Sequence, residues 1–135
     1  MQRPAWSPLP WDLPRSPALW ERVFAVFTDS AAPPTPAAAL AQLAEAGLLD
    51  ECVPAAFRSQ RSEDFSVRAL CPLRWALGYC SPLHDLMFAM QGLGSYPVTL
   101  AGSPAQQAAL LPAIARGQAI GAFALTEPEA GSDVA

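Results

Sequence analysis

Trp20, Phe24 and Phe27 recur at i, i+4 and i+7, a spacing that places them on one helix face and predicts a core stripe. Four boundaries extend the helical pattern. Ser16-Pro17, Thr35-Pro36, Ser81-Pro82 and Ser103-Pro104 each join a capping residue to a proline at the first helical position. The missing N–H of such a proline has no helical partner to lose. Ser103 and Gln106 have capping-box spacing. Gly47 after 37–46, and Arg116-Gly117 after the helix from Pro104, supply stops. These signals predict helices over 17–29, 36–46, 72–80, 82–100 and 104–116. Residues 50–70 are expected to be irregular, and residues 1–15 a proline-rich arm.

From Leu86 to Ala115 no residue is charged. Gly92, Gly94, Pro97, Gly102, Ser103 and Pro104 interrupt the stretch, so it is not expected to span a membrane. A helix over 83–100 that is apolar nearly all round is expected to be buried on every side. Beyond Gly117 the texture changes. Residues 119–125 form a short uncharged run with a weak strand signal. Thr126-Glu-Pro-Glu-Ala-Gly-Ser-Asp133 is turn chemistry throughout. A strand with no partner strand is not stable alone. Together with the uncharged helix, this predicts the front part of something larger, or a subunit packed against others.

Composition narrows the chemistry. Of the 135 residues 52% are hydrophobic and 15% charged, which excludes disorder as a description of the whole chain. The eight basic residues are all arginine and the net charge is −4. Phosphate neutralisation needs a basic patch, so nucleic acid is not an expected partner. The absence of lysine excludes Schiff-base and P-loop lysines. One histidine, His84, excludes a multi-histidine metal site, and no metal site is expected. His84 itself reads as a polar residue at a helix start. Glu45, Glu51, Glu63 and Asp64 read as solvated charges. Cys52, Cys71 and Cys80 include no CxxC pair. On one helix, nine steps of about 100° would put Cys71 and Cys80 on opposite faces. Three reduced, buried thiols in a cytoplasmic protein are expected. The N-terminal residues lack the apolar run of a secretory signal.

The turn 126–133 is the chemically suggestive segment. A strand end leaves backbone N–H groups without ladder partners, Thr126 and Ser132 add hydroxyls, and Gly131 permits close approach to the backbone. Glu127, Glu129 and Asp133 make the local field negative. A plain exposed turn is the competing reading.

The string Phe123-Ala-Leu-Thr-Glu-Pro-Glu-Ala-Gly-Ser-Asp-Val-Ala135 closely resembles the first signature of the acyl-CoA dehydrogenase family. Leu43-Ala-Glu-Ala-Gly-Leu-Leu49 with Val53-Pro54 looks like the family's second helix and following loop. Met90-Gln-Gly-Leu-Gly-Ser-Tyr-Pro-Val-Thr-Leu-Ala-Gly102 looks like its central helix. Residues 103–117 look like the helix leading into its β-domain. The resemblance covers roughly 35–135. One departure falls after Val53-Pro54: the family usually has an aromatic and then Gly-Gly, whereas Phe57 is followed by Arg58-Ser59.

The resemblance implies an all-α N-terminal helical domain followed by the first strand and turn of a β-domain that is otherwise missing. The divisions would be 1–34, an arm and first helix; 35–118, the helical domain; and 119–135, the start of the β-domain. It implies an FAD-dependent oxidoreductase of fatty acid metabolism that desaturates the Cα–Cβ bond of an acyl-CoA thioester. Electron-transfer flavoprotein would be the electron acceptor. At full length a homo-oligomer, dimer or tetramer, is implied. By the same carry-over, Phe123, Leu125, Thr126, Gly131 and Ser132 would hold FAD. Ser132, Leu86, Met87 and Met90 would contact acyl-CoA. The family's glutamate base lies in its C-terminal domain, so no catalytic residue is expected in this chain. The alternatives are a same-fold acyl-CoA oxidase or flavin monooxygenase, and a non-catalytic helical interaction module.

Overall fold

The computed structural model describes residues 16–28, 35–58 and 67–131. Among the described residues five α-helices carry the fold: α1 Ser16–Thr28, α2 Pro36–Glu45, α3 Val67–Cys80, α4 Pro82–Ala101 and α5 Pro104–Ala115. Two short 3-10 turns, Leu48–Cys52 and Ala55–Phe57, follow α2. The proline-rich arm, Glu63 and Asp64 lie outside the described residues, as does the side chain of Trp20.

The local signals act as their chemistry requires. The Thr35 hydroxyl accepts from the Ala38 N–H at 3.2 Å. At α5 both halves of the capping box form, Gln106 N–H to Ser103 Oγ and Ser103 N–H to Gln106 Oε1. Gly47 and Gly117 close α2 and α5 with φ of 64° and 65°. A side chain is rarely tolerated in that left-handed region. At Gly117 a Cβ would also stand 2.9 Å from the Ala44 Cβ, so α5 ends in close contact with α2.

α3 departs from expectation: it begins at Val67 and carries Pro72 inside. An internal proline removes one helical hydrogen bond. Burial of Leu73, Ala76 and Leu77 from the same helix offsets that loss. Cys71 and Cys80 do share this helix. Cys52 is buried, but Cys80 is half-buried and Cys71 exposed, which corrects the expectation of three buried thiols.

One core joins Val23, Leu40, Leu43, Leu48, Leu49, Leu73, Leu77 and Phe88, with Phe27 packed against it. Phe24 is only half-buried, so the inward face of α1 centres on Val23 rather than on the aromatic stripe. A second cluster, Val53, Leu111, Ile114 and Ala115, lies under α5.

α4 is not buried on every side. His84, Met87, Phe88, Gln91 and Ser95 face inward, whereas Leu86, Leu93, Tyr96 and Leu100 are exposed. Its neighbours α2, α3, α5 and the first 3-10 turn bury one side and leave the other open. Residues 119–125 form no strand, because the described residues offer them no strand to pair with. None of the described helices is long and apolar enough to cross a membrane.

Candidate flavin and substrate segment

The segment after α5 is ordered at two places, one an anchor on α4 and one a turn closed on itself. The first is at 119–121. Gln91, fully buried on α4, donates through Nε2 to the Ala119 carbonyl at 2.9 Å and reaches the Ile114 carbonyl at 3.5 Å. Its Oε1 accepts from the Gly121 N–H. Here the two backbones touch: a Cβ on Gly94 would lie 2.8 Å from the Gly121 Cα, and one on Gly121 would lie 2.8 Å from the Met90 carbonyl. Both glycines are needed because any side chain would part the segment from the helix. The second is the turn 127–130, closed on itself by Glu127 N–H to Ala130 O at 2.9 Å and Ala130 N–H to Glu127 O at 3.3 Å.

Between them run 122–126. Among the described residues their N–H groups make no hydrogen bond. Phe123, Leu125 and Thr126 are all exposed. Gly131 is open too, with nothing within 4 Å of where a Cβ would stand. The segment therefore presents free donors, two apolar side chains and a hydroxyl, an inventory that fits the polar edge of a flat heteroaromatic ligand. Glu127 and Glu129 are exposed on the turn. Ser132 and Asp133 lie outside the described residues.

The other carried-over positions do not share one surface. Leu86 is 55% exposed, Met90 is half-buried beside Gly121, and Met87 is 7% exposed within the core cluster.

The departure at Arg58 has a visible role. Its side chain is fully buried, Nε donates to the Val53 carbonyl at 3.0 Å, and Nη1 lies 3.6 Å from Glu51 Oε2. Arg22 approaches the other Glu51 oxygen at 4.0 Å and donates to the Ala46 and Gly47 carbonyls. Glu51 is thus a buried anion between two arginines, which corrects its reading as a solvated charge. A charge withdrawn from water needs such partners. Glu45 is exposed as expected.

His84 is fully buried. Nε2 meets Gln42 Oε1 at 2.8 Å and Nδ1 meets Ser81 Oγ at 2.9 Å, while the ring packs edge-on against Phe27. An amide oxygen only accepts, so Nε2 carries the proton and Nδ1 accepts from the Ser81 hydroxyl. Ser81 therefore serves His84 and makes no side-chain cap to α4. Burial pushes the His84 pKa below its ordinary value. Burial also pushes the Cys52 thiol far up, so it is no nucleophile. No group of three potential metal ligands occurs among the described residues.

Sequence reasoning missed Gln91 as a positioning group. The available signal was an amide in the middle of a long uncharged stretch. A polar side chain buried there must be hydrogen-bonded.

Comparison with known proteins places the helical part of the chain in a family. The acyl-CoA dehydrogenase N-terminal domain matches residues 23–118. The very long-chain specific acyl-CoA dehydrogenase, mitochondrial, of Rattus norvegicus is 47% identical over 58 residues, covering 39% of this chain and 9% of the relative. The Homo sapiens protein of the same name is 36% identical over 86 residues, 59% of this chain and 13% of its own length. A probable acyl-CoA dehydrogenase of Bacillus subtilis (strain 168) is 50% identical over 42 residues, 31% of this chain and 7% of the relative. The chain thus spans only a small part of each relative's length. With the helical order, the Gly-closed helices and the family match all coinciding over 23–118, this chain belongs to the acyl-CoA dehydrogenase family.

Proposed function

We propose that this chain supplies the helical domain and the flavin-edge segment of an FAD-dependent acyl-CoA dehydrogenase, and that catalysis requires the remainder of a family-length protein. The supporting observation is the stretch 122–126 beyond the anchor on α4, whose backbone donors make no hydrogen bond among the described residues. FAD, when bound, supplies the hydride acceptor for desaturation of the acyl Cα–Cβ bond. The chain's own part is to hold and to polarise. The N–H groups near Leu125 and the Thr126 hydroxyl would donate to the flavin's pyrimidine edge, with Phe123 and Leu125 covering apolar ring surface. Donors fixed in advance favour the negative charge that reduction builds there. Gly131 would give close access to the backbone, and Ser132 would contact both FAD and acyl-CoA. Leu86, Met87 and Met90 are kept as acyl-pocket candidates, of which Leu86 alone is now exposed.

We assign no catalytic residue to this chain. The opening of a β-domain at 119–135, electron-transfer flavoprotein as acceptor and a homo-oligomeric full-length enzyme belong to the same reading. So does a cytoplasmic, reducing location, consistent with three free thiols.

The test is a hybrid in which this chain replaces the matching part of the Bacillus subtilis relative. It should retain FAD and turn over an acyl-CoA, while residues 1–135 alone, supplied with FAD, should not exceed a no-protein control. A soluble hybrid that retains no flavin would overturn the proposal.

A further inference from the structure

We infer that Gln91 is a positioning residue for the flavin segment, acting with the Gly94–Gly121 contact as a register lock; this rests on the function proposed above. Gln91 stands on α4, 28 and 30 residues before the groups it holds. Its amide has two polar ends, and the segment uses both. Nε2 takes the Ala119 carbonyl and Oε1 takes the Gly121 N–H. Two antiparallel bonds to one strand of backbone define its position along the helix, as a neighbouring strand would. A slip of one residue would turn both bonded backbone groups away from the amide. It would also reverse the faces of Phe123 and Leu125 relative to the helix.

The glycine pair fixes the remaining coordinate, the distance. With Cβ atoms absent at Gly94 and Gly121, the segment lies directly on the helix backbone. Thr126 follows Gly121 by five residues, so an error of register at the lock passes directly to the donor group. Packing alone does not account for this arrangement. The segment beyond the lock buries almost nothing: Ile120, Phe123 and Leu125 are 63%, 46% and 51% exposed. A fully buried amide is therefore committed to ordering a segment that contributes little apolar burial within the described residues.

Two measurements test the lock. The first uses the full 135-residue chain. In Gln91→Leu, amide exchange at Gly121 should accelerate about tenfold relative to the amides of Leu77 and Phe88, the expected signature of losing a local bond without global unfolding. Should Gln91→Leu fail to fold, Gly94→Ala and Gly92→Ala provide the comparison. Both exchanges raise helix propensity equally. Only Gly94→Ala drives a methyl into Gly121, since a Cβ on Gly92 meets nothing within 4 Å. Gly94→Ala should speed exchange over 119–121 and Gly92→Ala should not. Equal behaviour of the two variants would overturn the lock.

The second measurement uses the flavin-loaded hybrid. Gln91→Leu and Gly94→Ala should weaken FAD retention by about tenfold, on the scale of one neutral hydrogen bond, with Gly92→Ala unchanged. If exchange loosens and FAD retention stays constant, the lock is purely structural and its positioning role is overturned. If the parent hybrid binds no flavin, the proposed function fails and the positioning role with it, while the exchange result still reports on the lock.

Discussion

The Nε2–H of His84 donates to Oε1 of Gln42 at 2.8 Å and ties the first turn of α4 to α2 across 42 residues of sequence. Burial lowers the folded-state pKa and so favours the neutral ring, whose Nδ1 accepts from Ser81. The unfolded chain protonates near the ordinary value of about 6.5. Between that value and the lower folded one, the unfolded state binds more protons, so stability falls as pH falls. Urea unfolding of the chain should show full stability above about pH 7 and a decline below about 6.5, with His84 contributing at most about 1.4 kcal/mol per pH unit. In His84→Gln that contribution should vanish. An unchanged slope in the variant would show that another group titrates.

Two ion pairs of opposite character should respond differently to mutation. Glu51 and Arg58 are buried, whereas the Arg74–Asp85 pair, although bidentate at 2.9 and 2.7 Å, is half-exposed at Arg74. Glu51→Gln leaves a buried guanidinium without its carboxylate and should destabilise by about 3–5 kcal/mol. Arg74→Ala should change stability by about 1 kcal/mol or less, and less still at high salt. Denaturant titration of both variants at two salt concentrations decides the matter.

Phe88 is among the largest fully buried side chains and belongs to the core cluster that also holds residues of α2, α3 and the first 3-10 turn. Phe88→Ala should destabilise by about 3–5 kcal/mol. Leu93→Ala, on the exposed side of the same helix, should stay within about 0.5 kcal/mol. Thermal unfolding monitored by circular dichroism provides the comparison.

The exposed side of α4 carries Leu86, Leu93, Tyr96 and Leu100, and Ile120, Phe123 and Leu125 are exposed in the segment beyond α5. Apolar surface of this kind associates when nothing covers it. Sedimentation velocity of the isolated chain should show concentration-dependent association, reduced in the double variant Leu93→Gln with Leu100→Gln. A sharp monomer boundary at all concentrations would instead favour a self-sufficient helical module.

In the flavin-loaded hybrid, Thr126→Val removes a hydroxyl while nearly keeping shape. The reduced flavin is the more anionic form, so it should lose more than the oxidised form, by about 1.5–3 kcal/mol for a charged partner against about 0.5–1.5 for a neutral one. The reduction potential should fall. A Cβ at Gly131 meets nothing within 4 Å among the described residues. Any loss of FAD retention in that variant therefore reports ligand approach rather than an internal clash. Ser132→Ala should chiefly weaken acyl-CoA binding. Flavin stoichiometry and potential that stay unchanged in both Thr126→Val and Gly131→Val would remove the flavin assignment from this segment.

The helix starts at Thr35, Ser81 and Ser103 and the stops at Gly47 and Gly117 could be read directly from the residues. A cap or a left-handed φ is settled by groups within about four positions of one another, so the local sequence determines it. The family signature at 123–135 was equally legible as a string. The sequence did not reveal what depends on distant partners. Pro72 lies inside α3 because residues on both sides of it belong to one helix packed on the core. Glu51 looked like an exposed charge until Arg22 and Arg58, 29 positions behind and seven ahead, were brought to it. α4 looked apolar all round, and the placement of its neighbours alone decided which face became core. Gln91 was one amide in an uncharged stretch until folding set the Ala119 carbonyl and the Gly121 N–H against it. Torsional preference acts over one helical turn and is written in the residues themselves. Burial and the satisfaction of buried polar groups are properties of the packed chain, so the tertiary structure alone decided them.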